Sequence, residues 1–241
     1  MDFWEMIKDG LKYPFSDVKM IFILGVVLLA AELINKVPID GMGVIHCLIL
    51  ITTILIAVIV ELGYVFKVIK ETINGSDKLP KFNHLRAIFV HGIEEIIVST
   101  IYLLLPFLLF ALSFLLLFSG YYSDLMWRVS LGYVFLISGL ILTFISTFTL
   151  QIVVMNMAHH HGSIKSGFNF KKIQGKIRII GFKRLILAYI ITTITVGSLV
   201  LFLSDLIKSI PLGLLISEVI IAPYLLLFTA RILGLLDRES P

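Results

Sequence analysis

The sequence predicts an all-α membrane protein with six transmembrane helices, arranged as three hairpin repeats that are each preceded by a cytoplasmic, interfacial amphipathic helix. The first observation is the composition: 59% of the 241 residues are hydrophobic and 15% are charged, with a mean hydropathy of +1.03. A soluble domain of this size cannot cover so much apolar surface with so few charges. The second is six apolar stretches of membrane-spanning length. The third is a basic amphipathic pattern in front of every odd-numbered stretch.

Six apolar stretches have the length of a membrane span. A helix needs about 20 apolar residues to cross a hydrocarbon core about 30 Å thick, and stretches near that length recur along the whole chain. Pro106 and Pro223 lie in the third and sixth stretches, and each proline predicts a kink because it removes a main-chain hydrogen bond. The predicted spans, all within one integral membrane domain of residues 1–241, are about 18–34, 43–66, 96–119, 127–155, 184–204 and 210–233.

The distribution of basic residues predicts the orientation in the membrane. Of the 20 Lys and Arg residues, only Lys36, Arg128 and Lys208 fall in connections on the side away from the N-terminus. Cytoplasmic segments carry the excess of Lys and Arg, so the pattern predicts a multi-pass protein of the cell membrane with both termini in the cytoplasm. The expected partners are the lipid bilayer and the anionic lipids of its inner leaflet. A partner membrane protein and a homo-oligomer both stay open.

Each predicted cytoplasmic segment carries a short amphipathic stretch before the next span. Asn83 and Asn169 stand at predicted helix starts, and Gly92 and Gly181 at predicted bends into the membrane. Three such stretches imply three repeat units, about 1–75, 76–160 and 161–241. The apolar stripes at helical spacing are Trp4, Ile7 and Leu11, then Phe82, Leu85, Phe89 and Ile93, then Phe170, Ile173, Ile177 and Ile180.

Basic residues occupy the other face of these stretches. A helix with an apolar face and a lysine-bearing face lies at the headgroup boundary, where it gains from apolar burial and from attraction to anionic lipid. We therefore expect the stretches to lie on the inner leaflet. The predicted contacts to lipid headgroups are Lys81, Arg86, Lys171, Lys172, Lys176 and Arg178.

Short motifs in the first 90 residues resemble a known family. They are Tyr13-Pro14-Phe15-Ser16-Asp17 before the first span, Gly63-Tyr64 late in the second, and Asn74-Gly75 with Leu79-Pro80-Lys81-Phe82 before the next amphipathic stretch. With these motifs the chain resembles the domain of unknown function 4013 family, whose members are mostly archaeal multi-span membrane proteins. An acidic residue is common in that family where this chain has Lys81. The resemblance implies the fold and a membrane location, and it carries no catalytic residues over.

Ionisable side chains inside the hydrocarbon are the first candidates for function, because each costs at least ~2.5–3.5 kcal/mol at the membrane centre. Glu218 is the most deeply placed acid in the predicted spans, five residues before Pro223. This position predicts that the Glu218 carboxylate has a function. The structural alternative is that it forms a hydrogen bond to a neighbour such as Thr193 or Ser198.

Three further ionisable residues lie near the ends of the predicted spans. Glu32 and His46 flank the first outer turn, where they could feed protons toward Glu218 or serve as ordinary interface residues. Glu61 lies near the inner end of the second span and is followed by two lysines. The ordinary interpretation is that Glu61 pairs with one of them or reaches the headgroups.

His159, His160 and His161 form a weak metal-site candidate at the inner end of the fourth span. A metal site needs three or four convergent ligands, and consecutive residues on a helix diverge. The single cysteine, Cys47, excludes a disulfide within the chain. We therefore expect no metal and no cofactor. The basic residues flank membrane spans, so no nucleic acid is expected either.

Two functional hypotheses follow, and neither is an enzyme, because no acid, base and nucleophile cluster at one depth. The leading hypothesis is membrane organisation, or a scaffold or subunit role, through amphipathic helices on the inner leaflet. The alternative is a small transporter or channel built around the intramembrane carboxylate of Glu218, which predicts a pH-dependent flux.

Overall fold

The computed structural model describes residues 3–35, 43–123, 125–160, 162–208 and 212–238, and every regular element in these ranges is helical. The all-α prediction is confirmed for the described part of the chain. In chain order the elements are α1 (Phe3–Lys12), a 3-10 helix (Tyr13–Asp17), α2 (Val18–Asn35), α3 (Val44–Ile73), α4 (Leu85–Tyr122), α5 (Met126–His159), α6 (Ile164–Gly167), α7 (Phe170–Ile180), α8 (Phe182–Lys208), α9 (Gly213–Ile216), a π-helix (Ser217–Ile221) and α10 (Ala222–Arg238).

Five helical segments in the described residues are long and apolar enough to cross a membrane. A sixth is counted when α7 and the part of α8 up to Ser198 are taken as one span, which is bent by 88° between the two helices. The prediction of six spans thus agrees with the upper count. The five segments are Phe3–Leu33, Val44–Ile73, Leu85–Tyr122, Met126–His159 and Gly213–Arg238.

The outward surface of the long helices is apolar. In α4, Phe107 and Phe114 are 68% and 67% exposed, and Leu115 is 62% exposed. A continuous apolar surface of this kind is unfavourable in water and marks contact with another apolar phase. The length and the surface of these helices together fit a multi-pass membrane protein.

The core of the protein lies toward one end of the bundle. Tyr64, Phe66, Met155 and Phe228 are fully buried there, where α3, α5 and α10 meet. The Tyr64 hydroxyl donates a hydrogen bond to the Pro80 carbonyl at 2.8 Å, which holds the α3–α4 loop against this core. We call this end the basic end; it comprises that loop, α1, α7 and the C-terminal ends of α5 and α10.

Two glycines let α3 and α4 pack with their backbones in contact. A methyl group at Gly63 would collide with the Ile88 carbonyl, and one at Gly92 would collide with the Ile59 carbonyl. Small residues permit this close approach between membrane helices. The prediction that Gly92 bends the chain into a span is therefore wrong: α4 runs through it without interruption, and the glycine serves helix packing instead.

The amphipathic stretches differ from one another in the structure. The first and third form separate helices, α1 and α7, whereas the second, from Leu85 onward, is the start of α4. The Asn169 side chain caps α7 by accepting from the Lys172 amide at 3.2 Å. Gly181 ends that helix with a φ of 91°, a left-handed conformation that favours glycine. These two predictions are confirmed, while Asn83 lies outside α4, whose first flanking residue is His84.

The apolar stripe of α7 faces the protein along part of its length. Ile173 and Ile180 are 4% and 7% exposed and belong to the hydrophobic core, whereas Phe170 is 68% exposed. In α1, Met6 is fully buried, while Trp4 is 67% exposed. Much of the amphipathic pattern is thus explained by packing within the protein. That these helices lie on the inner leaflet stays a prediction, and so does the organisation in three repeats.

Candidate functional site: a carboxylate cluster in the helical bundle

Three glutamates from three different elements are linked by electrostatic interactions inside the helical bundle. Glu61 of α3 interacts with Glu218 of the π-helix, and Glu95 of α4 interacts with Glu61. We call Glu61, Glu95 and Glu218 the carboxylate cluster. Two of its members, Glu61 and Glu218, are candidates already identified in the sequence, and the structure adds the third.

The contacts between α3 and α4 give the level of Glu95 along the bundle. The pairs Gly63–Ile88 and Gly92–Ile59 fix the antiparallel register of the two helices, so Glu95 is level with residue 56 of α3. Lys67 is level with the α3–α4 loop, because its ammonium donates to the Lys81 carbonyl in that loop at 2.8 Å. Eleven residues of α3 separate these levels, about 16 Å at 1.5 Å per residue. Glu95 therefore lies within the bundle, away from the loop.

Glu95 is the most strongly enclosed member of the cluster. Its side chain is 7% exposed, and its Oε2 atom has no hydrogen-bond partner among the described residues. A buried carboxylate oxygen without a donor is costly and therefore calls for an explanation. Sequence reasoning missed Glu95 because the apolar stretch begins at Ile96, which put Glu94 and Glu95 outside the predicted span.

Glu218 lies in the π-helix rather than in a regular α-helix. Its Oε1 accepts a hydrogen bond from the adjacent Ser217 hydroxyl at 3.1 Å. The predicted partner Ser198 donates instead to the Thr195 carbonyl at 3.2 Å. Single π-helical turns are frequent at functional sites, and this one presents Glu218 toward Glu61 on α3.

The π-helix is explained by the residues around it. Pro223 has no amide hydrogen, so it cannot donate to the Val219 carbonyl, and the Ala222 amide donates to the Ser217 carbonyl in the π-helical pattern. A methyl group at Gly25 of α2 would collide with the Val219 carbonyl. Pro223 thus follows a π-helix, and α2 packs directly against that segment. The kink predicted at Pro223 stays a prediction. Pro106, in contrast, lies within the uninterrupted α4.

The other two ionisable candidates lie near the ends of their helices. Glu32 is half-buried near the end of α2, and His46 is exposed in the first turn of α3. Neither is among the groups that interact with Glu61 or Glu95. The proposed feed of protons from Glu32 and His46 to Glu218 therefore stays a prediction.

A buried arginine organises the basic end, and sequence reasoning missed this role. Arg231 of α10 is 1% exposed. Its guanidinium donates to Asp9 of α1 at 2.6 Å and to Asp77 of the loop at 3.0 Å. It also donates to the Ser76 carbonyl at 2.5 Å and lies 4.4 Å from the centre of the Tyr13 ring. Hydrogen bonding to Arg231 lowers the pKa of Asp77 below its usual value.

A pocket of about 390 Å³ opens at the basic end between α5, α7 and α10. His160 Nδ1 lies 2.9 Å from the Asn156 carbonyl oxygen, and Lys172 Nζ lies 2.9 Å from His160 Nε2. A carbonyl only accepts hydrogen bonds, so this geometry assigns the proton to Nδ1 and makes Nε2 the acceptor of the lysine. We call this site the basic pocket.

Asp237 forms the opposite wall of the basic pocket. Its Oδ2 accepts from Lys176 Nζ at 2.7 Å and lies 3.4 Å from His159 Nδ1. The described residues contain no group of three or more His, Cys, Asp and Glu side chains arranged for a metal ion. His161, the third residue of the predicted metal candidate, lies outside the described residues.

The predicted headgroup contacts divide into two groups. Lys176 is largely enclosed by the pocket, with its side chain 11% exposed. Lys172 is exposed but is bonded to His160 in the same pocket. The other four are exposed at the basic end, namely Lys81, Arg86, Lys171 and Arg178. Their contact with lipid stays a prediction.

Comparison with known proteins agrees with the fold and leaves the activity open. Residues 46–207 match the model of the family described as "Protein of unknown function (DUF4013)". An uncharacterised protein of Methanocaldococcus jannaschii is 28% identical over 232 residues, which cover 84% of this chain and 76% of that protein. No solved structure matches the chain. Because the family model spans more than half of its length, the chain belongs to the DUF4013 family of proteins of unknown function.

Proposed function

We propose that this protein is a non-enzymatic membrane protein that conducts protons across the bilayer through the carboxylate cluster. The observation that carries the proposal is Glu95, a carboxylate that is 7% exposed within the helical bundle and has an oxygen without a hydrogen-bond donor among the described residues. Ionisable groups at such positions mark proton relays and ion paths in membrane proteins.

The chemistry of the cluster favours protons. Glu61 lies close enough to Glu95 and to Glu218 for like charges on either pair to repel each other. Glu61 is the shared neighbour of the other two acids, so in this proposal it is the middle member of the proton path. Glu61, Glu95 and Glu218 come from three elements, so a small movement of one element changes the distances between them.

The π-helix supports this proposal from a second direction. It carries Glu218, and its carbonyl groups follow a hydrogen-bond pattern that is less regular than that of an α-helix. The contact between Val219 and Gly25 couples this segment to α2. A shift of the π-helix would thus move Glu218 relative to Glu61 while the α3–α4 pair keeps its register.

Proton flux into liposomes tests the proposal. Purified protein is reconstituted with a pH-sensitive dye trapped inside, and a potassium diffusion potential drives proton entry. We expect wild-type protein to acidify the interior faster than protein-free liposomes do. Glu218→Gln should reduce that flux to the protein-free rate, because the amide occupies the same space but cannot carry the proton.

Glu94→Gln is the matched control for this experiment. Glu94 lies next to Glu95 on the same helix, but it is hydrogen-bonded to His91 Nδ1 at 2.8 Å and does not interact with Glu61 in the described contacts. We expect this variant to keep the wild-type flux. Undiminished flux in Glu218→Gln, or no flux in wild-type protein, would rule out conduction through the cluster.

A scaffold role on the inner leaflet is the second candidate. What favours it is the exposed apolar surface of Phe170, Ile179 and Phe182 beside the basic residues of α7, since such a surface suits the headgroup boundary. The exposed apolar surface of α7 is smaller than the sequence pattern suggests, because Ile173 and Ile180 are buried in the protein. A stoichiometric protein partner, retained in native mass spectrometry, would favour this candidate over proton conduction.

A further inference from the structure

We propose that the basic pocket binds the phosphate group of an anionic phospholipid. The pocket lies at the basic end, between the C-terminal ends of α5 and α10 and one face of α7. It is separate from the carboxylate cluster, and the proposal does not depend on proton conduction. The argument rests on the donors that face the cavity, on the space left by a glycine, and on the apolar residue at its rim.

Two ammonium groups in the pocket have donors to spare. Lys172 Nζ donates one N–H to His160 Nε2, and Lys176 Nζ donates one to Asp237 Oδ2. An ammonium has three donors, so among the described residues each lysine keeps two for a ligand. Both side chains are held in place by these contacts, which reduces the entropy that a bound anion would cost. Charge-assisted hydrogen bonds from lysine suit phosphate oxygens.

Gly175 leaves the cavity open between the two lysines. A methyl group at this position would meet no atom within 4 Å. Glycine in the middle of a helix is less favourable than alanine, and here no packing contact in the described structure requires the glycine. The open space allows a ligand to approach the backbone of α7, which is one of the uses of glycine at binding sites.

The rim of the pocket favours a lipid over a soluble phosphate compound. Ile179 lines the pocket and is 56% exposed. Two residues later the chain turns at Gly181, and α7 and α8 meet there at 88°. An anion in the pocket would thus lie at the level where an interfacial helix turns into the membrane, with an exposed aliphatic surface beside it for the glycerol and the first part of an acyl chain.

Native mass spectrometry with defined lipids tests this inference. The probes are dioleoylphosphatidylglycerol, dioleoylglycerol with the same chains but no phosphate, and inorganic phosphate, each titrated into the detergent-purified full chain. We expect binding of the phospholipid and little binding of dioleoylglycerol. Lys172→Gln should raise the dissociation constant by about tenfold, because a charge-assisted hydrogen bond is lost. Gly175→Leu should do the same by filling the cavity.

Lys165→Gln is the matched control, because Lys165 is an exposed lysine of the neighbouring α6 that neither lines the pocket nor belongs to the predicted headgroup contacts. It should change the affinity less than twofold. Equal affinities in all three variants, or equal binding of dioleoylglycerol, would overturn the inference. Phosphate alone binding as tightly as the phospholipid, with the same loss in Lys172→Gln, would overturn the lipid assignment in favour of a soluble anion. Unfolding midpoints of the variants establish that a loss of binding is not a loss of fold.

Discussion

Replacement of Arg231 by Met is expected to destabilise the protein by about 3 kcal/mol, because it removes the buried cation that joins three segments of the basic end. The guanidinium connects α10 to Asp9 of α1 and to Asp77 and Ser76 of the α3–α4 loop. The loss should fall at the lower end of the range for broken buried ion pairs, since the Asp9 and Asp77 side chains are 41% and 73% exposed and can be hydrated once the arginine is gone.

Arg238→Met is the control for this prediction. Arg238 lies two turns further along α10 and also donates to Asp77, at 3.3 Å, but its side chain is 39% exposed. Exposed ion pairs contribute about 0–1 kcal/mol, so this variant should change little. Chemical unfolding in detergent, followed by near-ultraviolet circular dichroism, measures both. Similar losses of unfolding free energy in the two variants would show that burial does not strengthen the ion pairs of Arg231.

Replacement of Glu95 by Leu is expected to stabilise the protein by about 1–3 kcal/mol and to abolish proton flux. Its Oε2 is buried without a donor among the described residues, so the cost of burying a polar group disappears when an apolar side chain of similar size takes its place. A residue that serves function at the expense of stability should show this combination, a gain in stability and a loss of proton flux when it is replaced.

Glu95→Gln separates the two contributions to this prediction. The amide keeps the size and much of the polarity of the acid but cannot carry a proton, so the flux should be lost while the free energy of unfolding changes less than in the leucine variant. Thermal unfolding and the liposome assay are performed on the same preparations. A stability loss in Glu95→Leu would indicate that the carboxylate is a structural group, and the functional assignment would then fail.

Signals local in the chain predicted much of the fold. Apolar length located the long helices, and the cap at Asn169 and the bend at Gly181 followed from residue types whose preferences act within one or two turns. The failure at Gly92 has the opposite origin. A glycine in a helix permits either a bend or a close helix contact, and only the position of Ile59 on another helix decides between them.

The candidate site was predictable only in part. Glu218 and Glu61 stand out because they interrupt apolar stretches. The end of such a stretch does not mark the end of a helix, and that is why Glu95 falls just outside the predicted span of 96–119. Arg231 lies inside a predicted span and so needed a partner. Its partners Asp9 and Asp77 are far from it in sequence, 222 and 154 residues away, and helix packing alone brings them together.

The most direct test of the central claim is infrared difference spectroscopy of the protein in liposomes, recorded between alkaline and acidic buffer. If the carboxylate cluster exchanges protons with the medium, acidification should produce the C=O stretch of a protonated carboxylic acid in a non-aqueous environment. That band should shift in deuterated buffer, vanish in Glu95→Gln and persist in Glu94→Gln. A spectrum of the wild-type protein without this band, or a band that survives in Glu95→Gln unchanged, would contradict proton uptake by the cluster.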